Sequence, residues 1–395
     1  MNTTHAQNHR RAITLLSIAA FASGASARLC DPMLPDLAHT FMASATETAH
    51  VVSGFSIAYG LMQIFFGPLG DRIGKYRLIA LTTLASTLGS LGAALAHSLD
   101  WLVLARLLTG ATAAGIIPLS MAWIGDTVPY EERQATLARF LSGQIMGVIG
   151  GQFIGGLFAD TLGWRWAFAF LCLIYLIVGI FVLIESQQNS STHRAVAPQK
   201  TLGILKQATT VFATPWARII LLIVFIEGML VFGTIAFIPS YLHDRFGITL
   251  SMAGGLMALF GAGGLSYITF AKSFVRRFGE TGLALNGGLI IALACGFIAF
   301  GTQWFWAAPA SFLFGLGFYM LHNTLQTNAT QMAPETRGTA VSLFASAFFL
   351  GQSVGVILAA ILMSHAGAIS IFLTAGLLMP PLGLMLSHLI RHHRT

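Results

Sequence analysis

The sequence predicts an all-α integral membrane protein with 12 transmembrane helices arranged as two pseudo-symmetric six-helix bundles. Three observations predict it. The 395 residues are 55% hydrophobic and only 9% charged, with a mean hydropathy of +0.76, whereas a soluble domain carries about 25% charged residues. Twelve apolar runs, each near the roughly 20 residues that cross a bilayer as a helix, are separated by charge or turn residues. Short patterns of the first half return about 200 residues later in the second.

In chain order the runs lie near 12–34, 48–70, 77–97, 101–125, 137–159, 164–184, 217–241, 250–271, 281–301, 305–327, 338–362 and 368–388. The first resembles a secretion signal in having Arg10 and Arg11 before it and the small residues Ala25, Ser26 and Ala27 near its end. It nevertheless continues through Leu34, and Ala27-Arg28-Leu29 before Cys30 does not match a lipoprotein cleavage site, so it is read as a retained span. Pro32 and Pro35 remove backbone donors and are expected to bend its end. The widest polar interruption, 185–216, holds Gln187-Gln188-Asn189-Ser190-Ser191, Arg194, Pro198, Lys200 and Lys206. It reads as a cytoplasmic linker. The expected organisation is therefore an N-terminal bundle at 1–186, a linker at 187–216 and a C-terminal bundle at 217–395.

Internal repetition supports the division. Gly151-Gln152-Phe153-Ile154-Gly155 in span 5 returns as Gly351-Gln352-Ser353-Val354-Gly355 in span 11, and Glu131-Glu132-Arg133 returns as Glu335-Thr336-Arg337. Offsets of this kind imply two parallel halves related by an axis along the membrane normal.

Arg165 and Arg245 are the only basic residues in the loops of one side, and Arg28 and Arg106 lie within spans; every other Lys and Arg falls on the opposite side. The positive-inside rule makes that side cytoplasmic and places both termini there, in a bacterial inner membrane. The net charge of +7 then reflects topology and contact with the lipid bilayer's anionic head groups, not nucleic-acid binding. The three cysteines all lie in apolar runs, which leaves no disulfide framework or metal-spaced cluster. No phosphate-cradling G-x-x-x-x-G-K-[ST] is present, so ATP is not the direct energy source, and no Ser-His-Asp arrangement points to an enzyme. No cofactor or metal is expected; the expected energy source is a proton gradient.

The eleven residues from Gly67 to Arg77, GPLGDRIGKYR, form a charged island between spans 2 and 3. Gly67, Leu69, Asp71, Arg72, Gly74, Lys75 and Arg77 resemble the loop 2-3 signature of the major facilitator superfamily. The glycines allow a tight turn between helix ends, Asp71 can face a neighbouring helix N-terminus, and the cations hold the loop inside. The expected role is a conformational latch made by Gly67, Asp71, Arg72, Gly74 and Arg77. In span 4, Leu104, Arg106, Gly110, Ala113 and Ala114 match the spacing of a second superfamily motif, whose arginine is associated with proton transfer in proton-coupled members. Gly147, Gly150, Gly151, Gly155 and Gly156 of span 5 resemble the antiporter motif, with Gln152 where that motif has proline. Gly147, Gly151, Gln152, Gly155, Gly351, Gln352 and Gly355 are read as a helix-packing motif, with the role of the two glutamines open. The resemblance covers essentially the whole chain and implies the major facilitator fold.

A charge at mid-bilayer is costly unless paired or hydrated, so each ionisable residue inside a span is a candidate for the transport path. Arg28, Asp31, Arg106, Glu227 and His322 qualify. Asp31, twenty residues beyond Arg11 and thus about 30 Å along a helix, matches Arg106 in depth. Arg28 shares its helical face, so the carboxylate has two candidate cationic partners. In the drug/proton antiporter branch an acid in span 1 takes part in coupling, and Asp31 sits where that role would fall. Glu227 lies near mid-depth of span 7, and His322, beside Asn323, lies on span 10. Proton coupling is assigned to Asp31, Arg106 and Glu227, and the substrate cavity to Arg28, Asp31, Glu227, His322 and Asn323. The expected function is a monomeric proton-coupled antiporter exporting a small lipophilic or drug-like molecule. The alternatives are an exporter of a sugar, amino acid or organic anion, and an uncoupled facilitator or transporter-shaped sensor.

Overall fold

The computed structural model describes residues 3–188 and 204–394. These form α1 (Thr3–Arg28), α2 (Leu34–Phe41), α3 (Ala45–Ile73), α4 (Lys75–Ala94), α5 (Leu99–Ala113), α6 (Ile116–Thr127), α7 (Tyr130–Asp160), α8 (Trp164–Gln188), α9 (Ile204–Ala213) and α10 (Pro215–Ile235). They continue with α11 (Ile238–Phe246), α12 (Leu250–Phe300), α13 (Ala307–Ala329), α14 (Arg337–Ala366) and α15 (Ile369–Arg394); no strand occurs among the described residues. Among the described residues, ten segments are long and apolar enough to cross a membrane. One of them, the 51-residue α12, is two spans joined at a non-helical Gly279 (φ 61, ψ 177). A further span, α1, is rich in Ala and Ser; its Ala12, Ala19, Ala20, Ala22 and Ala25 are all buried in protein, so it needs less side-chain hydropathy than a lipid-facing helix. Together these account for the twelve segments expected from the sequence.

Three spans are interrupted along their length. Span 1 stops being helical at Arg28, passes through turns closed by Asp31 N–H to Arg28 O (3.4 Å) and Met33 N–H to Cys30 O (3.0 Å), and resumes as α2. Pro32 and Pro35, which cannot donate to a helix ladder, make this break sharper than the bend expected from sequence. Span 4 divides at Ala114 and Gly115, and span 7 at Ala236 and Phe237, with Pro118 and Pro239 following. Irregular backbone at membrane depth is tolerated where protein surrounds it, and Cys30, Ala114 and Ala236 are all buried.

The charged island is built differently from its expected form. Gly67 is not at a turn: it lies inside α3, which runs on to Ile73, and only Gly74 (φ 98) makes the corner into α4. Asp71 pairs with Lys75, the first residue of α4, at 3.4 Å, and Lys75 also binds Asp126 of α6 at 2.5 Å. Arg72 and Arg77 are exposed. These ion pairs therefore tie together helices of one half. Because Asp71 is half exposed, Asp71→Asn is expected to change thermal stability little, by about 1 kcal/mol or less. A fall in transport turnover in reconstituted vesicles, with cargo affinity unchanged, is the expected signature of a latch.

The apolar interior forms two main cores. One gathers residues of α1–α8 but also takes in Ala236, Phe237, Val356, Ala359, Ala360 and Ile371; the other spans Val211 to Ile390. Residues 189–203 of the expected linker lie outside the described residues. Its later part is helical, with α9 tied to α14 by a hydrogen bond from the Thr339 hydroxyl to Gln207.

The halves meet along two seams. In one, α3 lies on α14, with Tyr59 and Phe349 rings 4.2 Å apart and the Ser353 hydroxyl donating to the Ser53 carbonyl at 3.0 Å. In the other, α7 lies on α12, from Asp160 against Ser251 to Ile145 beside Gly261. Both seams favour the face opposite the termini. On the terminal side Arg139 of α7 and Leu265, Ile268, Phe270 and Lys272 of α12 are exposed.

Candidate functional site

Helix α1 is positioned by a ladder of close backbone contacts with α7. A Cβ on Gly147 would sit 2.2 Å from the Phe21 carbonyl oxygen, on Gly151 2.5 Å from that of Ala25, and on Gly155 2.1 Å from that of Leu29. In the second half a Cβ on Gly351 would sit 2.1 Å from the Phe225 carbonyl oxygen and one on Gly355 2.1 Å from that of Met229. The partners repeat at the same 200-residue offset as the glycines, Ala25 with Phe225 and Leu29 with Met229. The repeated motif thus marks one helix contact built twice, and it fixes the height of the polar groups carried on α1 and α10.

Arg28 and Asp31 form a buried ion pair, Nη1 to Oδ2 at 3.5 Å. The two glutamines left open by sequence close around it. Gln152 Nε2 donates to Asp31 Oδ2 at 3.2 Å from within the first half, and Arg28 Nη2 donates to Gln352 Oε1 at 2.5 Å across the interface. The Arg28 guanidinium also lies 4.0 Å from the centroid of the Phe232 ring on α10. A single N-terminal cation is therefore held by an acid of its own half and by an amide and an aromatic face of the other.

Arg106 lies near Asp31 but makes no direct ion pair with it. It is fully buried, donates through Nε to the Val51 carbonyl and through Nη1 to the Ser26 hydroxyl, both at 3.2 Å, and stacks 4.3 Å from the Phe55 centroid. Equal depth placed the two groups near one another, but the rotation of α5 points the guanidinium between α1 and α3. Its Nη2 has no hydrogen-bond partner among the described residues.

The second centre lies in the C-terminal half. Glu227 on α10 is completely buried, and its Oε2 is 2.8 Å from Nδ1 of His322 on α13. The imidazole is stacked on Phe318 (centroids 4.9 Å apart) and flanked by Phe348 (4.7 Å) and Phe344 (5.5 Å). Phe232 packs edge-on against both Phe318 and Phe348 at 5.4 Å. An unbroken run of contacts thus joins Arg28, Phe232, the Phe318–Phe348 pair, His322 and Glu227. Helix α14 touches both centres, through Phe348 at one and Gln352, one turn later, at the other. Asn323, expected in the cavity, is half-buried. The sequence did not single out Phe232, Phe318, Phe344 or Phe348, since Phe is common on lipid-facing surfaces too.

Two packed six-span halves, spans broken inside the bundle and ionisable groups buried among them define a membrane carrier. The family profile of the Major Facilitator Superfamily matches residues 16–356. The chain belongs to that superfamily, and is a transporter rather than an enzyme. It is 26% identical to the MFS-type transporter YwfA of Bacillus subtilis, over 86% of this chain and 82% of that one. It is 24% identical to the multi-drug resistance efflux pump PmrA of Streptococcus pneumoniae, over 90% of each, and 26% identical to the class B tetracycline resistance protein of Escherichia coli, over 85% and 84%. Among solved structures, a bacterial homolog of the human lysosomal transporter Spinster, inward-facing and unoccupied, superposes with a TM-score of 0.75 at 17% identity, covering 96% and 95% of the two chains. The nucleoside transporter NupG superposes at 0.72 with 16% identity, covering 96% and 98%. These superpositions show a shared fold.

Proposed function

We propose that the protein is a proton-coupled antiporter that exports a small lipophilic molecule by alternating access across a bacterial inner membrane, with its termini in the cytoplasm. The observation that carries this reading is a completely buried carboxylate in each half. Asp31 and Glu227 each have a basic neighbour, and each keeps one oxygen without a hydrogen-bond partner among the described residues. Ionisable groups are kept at such depth at a cost of about 3 kcal/mol or more on insertion scales, and in membrane proteins they mark ion and proton paths.

Protonating Asp31 would cancel the charge that holds Arg28, and Arg28 in turn bridges to Gln352 and Phe232 of the other half, so proton occupancy and the apposition of the halves share one contact. The rings of Phe232, Phe318, Phe344 and Phe348 offer polarisable apolar walls for lipophilic cargo, with His322 packed among them. PmrA and the class B tetracycline protein, named for drug efflux and resistance, favour export of such cargo. The basic-residue bias supports the cytoplasmic placement of the termini, which makes the arrangement described above inward-facing. One chain holds every group the cycle requires, with the proton gradient as energy source and no cofactor.

Proteoliposomes loaded with a fluorescent lipophilic dye and given an imposed pH gradient test the coupling. Dye movement that follows the gradient and collapses with an ionophore is expected. Equal flux with and without the gradient would make the protein an uncoupled facilitator. Export of an organic anion is the second reading, favoured by the Nη2 of buried Arg106, which has no hydrogen-bond partner among the described residues; gradient-driven flux of anionic but not neutral dyes would select it.

A further inference from the structure

We propose that Asp160 is the latch that holds the face opposite the termini closed. The inference rests on the alternating-access reading and adds to it a residue with an assigned gating role. Asp160 is the last residue of α7, in the first half. Its Oδ1 accepts the N–H of Leu250 at 3.1 Å, and its Oδ2 accepts both the N–H of Ser251 at 2.6 Å and the Ser251 hydroxyl at 2.5 Å.

Leu250 and Ser251 are the first two residues of α12, in the second half. The opening N–H groups of a helix have no acceptor within it. In α12 the third is taken by the side chain of its own Thr249, at 3.2 Å to Met252 N. The first two are taken by a carboxylate from the other half. The helix cap is complete only while the halves touch.

A negative charge is favoured at the start of α12 and disfavoured at the end of α7, where the backbone dipole already points its negative end. Asp160 therefore breaks a local preference of its own helix, and the compensation comes from across the interface. Directly behind the cap the two backbones are in contact. A Cβ on Gly156 would lie 2.2 Å from the Leu250 carbonyl oxygen, and one on Gly254 would lie 2.4 Å from that of Gln152. This contact has no slack, so separating the helix ends at this face must pull Asp160 off Leu250 and Ser251. Water can then solvate the carboxylate and the two amides, which makes the contact a reversible latch and not a permanent bond.

The test needs no cargo. Nitroxides are placed on Leu162→Cys and Ile369→Cys, exposed positions on the two halves at this face, with Cys30, Cys172 and Cys295 replaced by alanine. Electron–electron resonance then reads the distance distribution in lipid nanodiscs at several pH values. The parent protein is expected to show a dominant short distance and a minor long one. Asp160→Ala is expected to raise the ratio of long to short about two- to fivefold, the scale of a charge–dipole contact at a helix start. Leu250→Pro provides the second variant. It deletes one donor yet suits the first helical position, and Thr249, at φ −65 and ψ 154, already has the extended conformation required before proline. It should shift the ratio the same way. Two populations in the parent with an unchanged ratio in both variants would overturn the latch while sparing alternating access. A single distance in the parent at every pH would overturn alternating access, and the latch with it.

Discussion

Asp31→Asn is expected to reduce cargo-driven proton release to background. The carboxylate accepts from Gln152 and pairs with Arg28, and it is completely buried. Asparagine preserves the shape and can still accept one hydrogen bond, but it carries no proton to exchange. Removing one partner of a buried ion pair typically costs about 3–5 kcal/mol, because the other charge is left uncompensated. Arg28 would keep only Gln352 and the face of Phe232. The single variant should therefore melt at lower temperature as well as lose coupling, and loss of fold must be separated from loss of function. Arg28→Gln combined with Asp31→Asn replaces the ion pair by two amides and should recover much of the melting temperature without recovering proton release. Release from either variant at the parent rate, followed with a pH-sensitive dye, would remove Asp31 from the mechanism.

The spans were legible in the sequence because a bilayer forces each crossing to declare itself as about 20 apolar residues. The relation between halves was legible because a packing contact used twice leaves the same glycine pattern twice. The ionisable candidates stood out for a similar reason: in an apolar run a charge is conspicuous. Their partners were not legible. Depth along a helix follows from counting residues, but the rotation of each helix about its axis is a property of packing, and rotation decided that Arg106 meets Ser26 and Val51 in place of Asp31. Gln152 and Gln352 are equivalent by sequence, yet one binds the acid and the other the base of a single ion pair, since the second contact crosses the interface. Asp160 gave only a faint signal, an acid at the unfavourable end of its helix. The island at Gly67 to Arg77 was recognisable by residue type, but its ion pairs proved to lie within one half.

Gly351→Ala and Gly151→Ala are both expected to destabilise the protein, with Gly351→Ala the worse of the two. Each new Cβ would collide with a main-chain carbonyl, at 2.1 Å for Gly351 and 2.5 Å for Gly151. A flexible side chain could swing away from such a clash, but a carbonyl in a helix is held by the ladder on either side, so the helices themselves must move apart. Overpacking of this kind costs about 1–3 kcal/mol, which outweighs the gain of up to about 1 kcal/mol that alanine brings to a helix interior over glycine. Gly296→Ala supplies the contrast, since its Cβ would meet nothing within 4 Å; there the propensity gain stands alone and the variant should melt slightly higher than the parent. The geometry also predicts a functional difference. Moving α14 away from α10 displaces Gln352 and Phe348, which touch the Arg28 and His322 centres, whereas moving α7 away from α1 displaces Gln152 from Asp31. Both substitutions should therefore impair proton-coupled flux in whatever fraction remains folded. Thermal melting in detergent paired with dye flux per folded molecule checks both parts. A Gly351→Ala protein that melts with the parent and transports at its rate would show that the ladder does not set the position of the buried charges.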